Sequence, residues 1–314
     1  MSKYYSNGKL LITAEYLVLD GAEALALPTK YGQSLEILPL KTISKTTNNN
    51  RLLWKSLDEK DNCWFQCEFK LPNFTIKCER LMSKKEQEIA QKLQEILIEA
   101  KQLNPEFLTE NKSFYIKTKT NFPLNWGLGT SSTLINNIAQ WAKVDAFKLQ
   151  FKVFGGSAYD IACAQNNSPI TYKLEYKKPV VNPVFFNPIF KKNLFFVYLN
   201  TKKNSRNAIK TYQKNTKNKE IQIKKITEIT KKLLNKDLKL DEFELIITEH
   251  EQILSLILNQ KPIKEILFSD YFGAIKSLGA WGGDFILVSG NKATPAYFKE
   301  KGYPTILTYE QMIK

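Results

Sequence analysis

Apolar residues in this chain fall into two periodicities. Residues 9–19, KLLITAEYLVL, and 33–40, QSLEILPL, are apolar runs that predict buried strands, the first with a break. RLLWKSL at 51–57 and CWFQCEFKL at 63–71 alternate, which predicts a hairpin or meander about the polar loop Asp58–Asn62. Period then changes from two to near four. Ser83 and Glu86 make a capping box for a helix whose apolar face is Ile89, Leu93, Ile96, Ala100 and Leu103, with Pro105 beyond its end. SFYIKTKT at 113–120 returns to strand. After residue 175 come a strand at LFFVYLN, two or three Lys-rich helices, a strand at DFILVSG, a helix near Pro295–Lys301 and a last strand at PTILTY. A strand-rich first half and a mixed second half predict an α+β protein in two lobes.

Composition narrows the class. The chain has 314 residues, 43% hydrophobic and 25% charged, enough for one large or two ordinary domains. No apolar run approaches the roughly 20 residues of a membrane helix. The start, MSKYYSNGK, lacks a signal-peptide core, so the cytoplasm is the expected compartment. Net charge is +15, and Lys202–Lys239 holds thirteen basic against three acidic residues. That stretch reads as the solvated face of helices with apolar positions at Ile221, Ile226, Ile229 and Leu233. The alternative, a nucleic-acid patch, lacks the aromatics of a stacking platform. Attraction for small anionic metabolites follows either way.

Cys63, Cys67, Cys78 and Cys163 are expected as reduced, buried thiols, with a metal site as the lesser alternative. His250 is the chain's only histidine, which argues against Ser-His or Cys-His catalysis. It lies in a helical pattern, TEHEQILSLIL, and reads as structural.

The most informative stretch is NFPLNWGLGTSSTLINN at 121–137. Pro123 ends the incoming strand, and Gly127 and Gly129 allow a tight turn and close backbone approach to a ligand. Thr130, Ser131, Ser132 and Thr133 then occupy the cap and first turn of a helix carrying Leu134, Ile135, Ile138 and Ala142. Unbonded N–H groups and the helix dipole favour an anion there, and the hydroxyls add donors or a Mg²⁺ ligand. Read alone, the stretch also fits a simple capped helix.

Three other stretches join it in order. Asn7-Gly8-Lys9 is followed by Ala14-Glu15-Tyr16, Ser157-Ala158-Tyr159-Asp160 opens a small-residue helix, and Gly279-Ala280-Trp281-Gly282-Gly283-Asp284 precedes a buried strand. Together with Pro123 and Gly127-Leu128-Gly129-Thr130-Ser131, this order resembles the GHMP kinases, named for galactokinase, homoserine, mevalonate and phosphomevalonate kinases. The resemblance spans residues 6 to about 290 and runs nearest to the phosphomevalonate kinases, through Glu15-Tyr16 and Asp284, with the mevalonate kinases next. Where that family carries proline, glycine, glycine, a hydroxyl residue and glycine, this chain has Asn7, Ala14, Ala158, Leu278 and Trp281. A magnesium-binding glutamate of the mevalonate kinases has no match here.

The resemblance implies a ribosomal protein S5 domain 2-like N-terminal ATP-binding domain at 1–175 and a ferredoxin-like C-terminal domain at 176–314. It implies Mg-ATP as phosphoryl donor and a small anionic acceptor, 5-phosphomevalonate or mevalonate, with a sugar or amino-acid alcohol, or a non-catalytic binding protein, as alternatives. Gly127, Leu128, Gly129, Thr130, Ser131 and Ser132 would bind ATP, Ser131 also Mg²⁺. Asp160 and Lys9 would be the catalytic pair, and Glu15, Ser157, Gly282 and Gly283 would face the acceptor, Glu15 having an ion pair as its other possible role. The expected assembly is a monomer or homodimer, with no membrane or nucleic-acid partner.

Overall fold

A computed structural model describes residues 1–40, 50–77, 81–109, 112–201, 209, 212–213, 219–279 and 281–314. Cys78, Ala280 and most of 202–218 lie outside the described residues. The chain forms two compact, interleaved units. The first takes Met1–Gly8, Tyr31–Leu124 and Gly129–Gln165. The second takes Lys9–Lys30, Asn125–Leu128 and Asn166–Lys314.

In the first unit, the C-terminal part of β2 (Ala24–Leu40) pairs antiparallel with β6 (Ser113–Thr120). The sheet continues through β3 (Arg51–Leu57), parallel to β6, then antiparallel through β4 (Cys63–Lys70) to β5 (Thr75–Lys77). The predicted β3–β4 hairpin forms because Asp58 organises its loop: Oδ1 accepts from the N–H groups of Lys60 and Asn62 at 2.9 and 2.8 Å. A register shift between Ser56 and Leu57 then turns Cys63 outward, so Cys63 is exposed while Cys67 is buried. The expectation that Cys63 is buried fails at that bulge, because an extra residue breaks the period-two alternation. Cys163 is buried and, like the other two, not disulfide-bonded.

Helix α1 (Lys84–Leu103) starts at the Ser83–Glu86 capping box, with both reciprocal bonds present. Helices α2 (Thr130–Ala142), α3 (Ala146–Val153) and α4 (Tyr159–Gln165) follow. Leu93, Leu97, Ile135, Ile138 and Leu149 of these helices pack on Leu35, Leu52, Trp54, Phe69 and Ile116 of the sheet as one core. Helix α4 packs against α2.

The second unit carries the chemistry-bearing N-terminal segment. The end of β1 (Ser2–Leu11) leads to a 3₁₀ turn at Leu17–Asp20 instead of a continuing strand. Ala14 and Tyr16 have φ of 68° and 63°, which breaks the extended backbone, and beyond that break the chain turns and does not resume the strand. Residues 24–26 of β2 pair with β7 (Ile170–Glu175), and β7 pairs with β8 (Lys178–Pro183).

A four-stranded antiparallel sheet follows: β9 (Leu194–Tyr198), β10 (Ile275–Ser277), β11 (Phe285–Ser289) and β12 (Ile306–Thr308), in the order β10-β11-β9-β12. Helices α5 (Glu220–Leu233), α6 (Leu240–Leu258) and α7 (Ile263–Leu267) connect β9 to β10, and α8 (Thr294–Glu300) connects β11 to β12. This βαββαβ succession, with the first strand central, is the ferredoxin-like arrangement. Phe195, Val197, Ile275, Ile286 and Val288 of the sheet share a core with Phe268 and Phe298.

On α5, Ile226, Ile229 and Leu233 are buried while Lys224, Lys225, Lys231 and Lys232 face outward. The described part of the basic stretch is thus the solvated face of an amphipathic helix. Ile221, expected on the apolar face, is exposed in the first turn of the helix. No described helix is long and apolar enough to cross a membrane.

Candidate active site

The glycine turn is built around Lys9. In β1, the Lys9 N–H donates to Leu128 O at 3.1 Å and its Nζ donates to Gly127 O at 2.9 Å. Backbone and side chain of one residue therefore hold both carbonyls of the turn. Gly127 has φ +67°, and a Cβ there would stand 2.2 Å from Asp284 Oδ2. Only glycine lets that carboxylate approach. The same Asp284 oxygen lies 3.3 Å from where Gly279 would carry a Cβ, so one carboxylate adjoins two of the glycine segments. Leu128 is buried and anchors the turn.

In the first unit, Gly129 (φ 93°) caps α2 with no side-chain cap bond, which leaves the N–H groups of the first turn without a side-chain acceptor. Thr130 is half-exposed and Ser131 exposed. Ser132 is buried, and its hydroxyl donates to Gly129 O at 2.9 Å, so its side chain serves the turn. Thr133 likewise points inward, donating to Gln33 Oε1 at 2.7 Å. Ser157 is buried in the loop before α4, following Gly155 and Gly156 at φ 67° and 82°. Asp160 is half-buried in the first turn of α4, whose helix lies against α2.

Glu15 sits elsewhere. Its carboxylate is 1% exposed, and Oε1 accepts from the buried Lys276 Nζ at 2.5 Å. Of its two expected roles, the structure supplies the ion pair. Lys276 also donates to Glu251 Oε1 at 3.3 Å and Ser277 O at 2.9 Å. Beside it, His250 Nε2 accepts the Ala14 N–H at 3.0 Å. Sequence reasoning placed His250 on a helix but found neither Lys276 nor Glu251. The available signal was a lysine in the middle of an apolar segment, YFGAIKSLGAW, which a buried strand tolerates only when the charge is paired.

The charges of this cluster are set by burial and by one another. Burial pushes His250 below its ordinary value, and the Lys276 ammonium adds to that, outweighing Glu251 and Glu15. A bond accepted from a backbone N–H requires an unprotonated Nε2, which agrees with a neutral ring. Burial alone raises Glu251, but Lys276, His250 and the Ser277 N–H outweigh it and hold its carboxyl low.

Because the native state disfavours His250 protonation, stability is full above the unfolded-state value near 6.5. It falls as pH drops from there through the lowered native value, at up to about 1.4 kcal/mol per pH unit. Glu251, also depressed, adds its own loss only at lower pH, below about 4.5. His250→Gln, which keeps an acceptor for Ala14, is expected to flatten the decline between pH 7 and 5. Equilibrium urea unfolding across that range checks this; parallel curves for the two proteins would assign the decline to other groups.

No protein-family model matches the chain, and no curated protein matches it in sequence. Solved structures do match in three dimensions. Methanococcus jannaschii mevalonate kinase is 16% identical, with a TM-score of 0.67 over 98% of this chain and 96% of its own. Phosphomevalonate kinase from Streptococcus pneumoniae, solved with phosphomevalonate and AMPPNP, is 15% identical, with a TM-score of 0.68 over 98% and 100%. Lactococcus lactis galactokinase, solved with galactose, is 13% identical, with a TM-score of 0.64 over 98% and 92%. The fold is that of the GHMP kinases.

Within the GHMP kinase fold, the departures from the family motifs become intelligible. Ala14, Ala158 and Trp281 stand where the family has glycine, and their φ values are 68°, 60° and 46°. The backbone keeps the left-handed conformation while the residue type has changed. Each such position costs a non-glycine residue about 1–2 kcal/mol, which the surrounding contacts must offset. For Ala14 the His250 bond is one such contact. Leu278, in place of a hydroxyl residue, is buried.

Proposed function

We propose that this chain is an ATP-dependent kinase of GHMP type that transfers the γ-phosphoryl group of Mg-ATP to a small anionic acid of the mevalonate pathway. The acceptor read as first choice is 5-phosphomevalonate, with mevalonate second. Residues 1–175 are read as the ATP-binding domain and 176–314 as the C-terminal domain, in a cytoplasmic enzyme.

The observation that carries the reading is the Lys9 clasp on the Gly127–Leu128 turn, which leads directly into an uncapped helix start with exposed Ser131. The donor set along this stretch fits a metal-bound triphosphate: first-turn N–H groups and the Thr130 and Ser131 hydroxyls. Among the described residues, no three His, Cys, Asp or Glu side chains cluster as a metal site. Mg²⁺ itself keeps most of its waters and takes few protein ligands alongside phosphates.

Roles follow from the chemistry of phosphoryl transfer, which needs positioning and charge neutralisation more than covalent catalysis. The first-turn N–H groups of α2 and the Thr130 hydroxyl hold the ATP phosphates, and Ser131 is the ligand for Mg²⁺. Bound Mg²⁺ neutralises charge on the phosphate oxygens. Asp160 orients the acceptor oxygen and takes its proton where it carries one. That oxygen bonds to the γ-phosphorus, the bond to the β,γ-bridging oxygen breaks, and ADP leaves. Lys9 stabilises charge on the transferring group. Gly282 and Gly283 offer backbone to the acceptor, and Ser157 holds the loop ahead of Asp160. Glu15 acts on the acceptor only indirectly, through its buried lysine. The net charge of +15 favours an anionic substrate.

The similarity to galactokinase supports a second reading, a kinase of a sugar or an amino-acid alcohol. A panel of acceptors with Mg-ATP, scored by ADP release, separates the two. Release is expected with 5-phosphomevalonate or mevalonate and not with galactose or homoserine. Turnover of a sugar or amino alcohol alone would replace the acceptor, and nucleotide binding without turnover of any acceptor would replace the enzyme by a binding protein.

A further inference from the structure

We propose that Glu251 and Trp281 form a positioning pair that holds the Gly279–Gly283 loop from behind. The proposal rests on the reading above, in which Gly282 and Gly283 meet the acceptor.

Glu251 lies on α6 and is buried. Three donors converge on its carboxylate. The Ser277 N–H reaches Oε2 at 3.1 Å, and Trp281 Nε1 and Lys276 Nζ reach Oε1 at 3.1 and 3.3 Å. Ser277 ends β10 just before the loop, and Trp281 lies within it. One carboxylate therefore grips the segment at its root and through a side chain of the loop itself. Lys276 in turn binds Glu15, so the same buried group reaches the first-motif segment.

The loop needs such a hold. Gly279, Trp281 and Gly282 have φ of 70°, 46° and 82°, backbone that chain entropy alone leaves undetermined. A tryptophan where relatives have glycine looks like an obstruction to a ligand loop, but its indole is buried and its N–H is spent on Glu251. Gly282 stays half-exposed. The side chain that glycine lacks has become an inward anchor, while Gly279 and Gly282 keep left-handed turns. Loop geometry matters for transfer because misplacing a reacting group by about 1 Å can cost on the order of 10²-fold in rate.

Trp281→Phe keeps an aromatic side chain at this buried position but removes the N–H donor together with the five-membered part of the indole. Glu251→Gln, which leaves Trp281 whole, therefore serves as the control for lost volume. Glu251→Gln keeps the shape of the other partner. Amide hydrogen exchange in Trp281→Phe is expected to rise at least tenfold at Gly279–Asp284, with the β9–β11 amides unchanged. kcat/KM for the acceptor is expected to fall at least tenfold, with the KM for Mg-ATP within twofold of the parent. The double variant is expected to lose little beyond Glu251→Gln alone, since the Trp281 hydrogen bond is one of those that Glu251→Gln already weakens. Unchanged exchange in Trp281→Phe would overturn the proposal even if the parent protein phosphorylates no acceptor tried, a result that would by itself sink only the proposed function. Additive kinetic losses, or a loss confined to Mg-ATP affinity, would also overturn it.

Discussion

Asp160→Asn is expected to lower turnover by roughly 10² or more, the loss that accompanies removal of a positioned base. The substitution keeps the side chain's shape and removes its charge and its ability to accept a proton. Asp160 is half-buried in the first turn of a seven-residue helix and is not part of the hydrophobic core. The fold should therefore survive, with a melting temperature within a few degrees of the parent. Steady-state ADP release, measured beside thermal unfolding, separates lost chemistry from lost structure. Near-normal turnover would reduce Asp160 to a residue that stabilises a helix start.

Lys276→Met is expected to destabilise the protein by about 3–5 kcal/mol, the cost of leaving buried charges without their partner. The ammonium is fully buried and serves Glu15 and Glu251 at once. Methionine fills similar volume, so the loss measures charge and not a cavity. Against a typical total of 5–15 kcal/mol, that is a large share. Without the lysine, the largest of the influences that hold Glu251 low is gone, and its carboxyl shifts upward. The deficit should consequently shrink as pH falls and Glu251 takes up a proton. Adding Glu251→Gln to Lys276→Met should recover part of the stability by removing one unpaired charge. Urea unfolding at pH 7.5 and 5 tests both statements, and a loss under 1 kcal/mol at pH 7.5 would show that water or another group neutralises the pair.

Elements whose determinants lie within a few residues were legible in the sequence. The Ser83–Glu86 box starts α1, and Asp58 shapes the β3–β4 hairpin. Alternation marks β3, and the glycine-to-hydroxyl turn starts α2. Capping, turn formation and amphipathic burial are local physics, and they appear in a window of ten residues. The order of motifs also gave the fold, because glycines in left-handed turns leave a trace in residue type.

The interior polar contacts had no such trace. Glu15 and Lys276 are 261 positions apart, and only the packing of β10 beside the N-terminal segment makes their charges partners. Cys63 was expected inside and lies outside because one bulge in the β3–β4 ladder shifts the register, which alternation along a single strand cannot reveal. The apolar run at 9–19 predicts a strand with a break. Its end becomes a 3₁₀ turn because tertiary contacts hold Ala14 and Tyr16 at positive φ, against their intrinsic preference. Trp281 shows the same division: its place among the glycines is written in the sequence, while the direction of its indole was decided by a carboxylate on α6, thirty residues away. Local free energies are set by neighbours in the chain; the pairing of buried charges is set by which distant segments exclude water together.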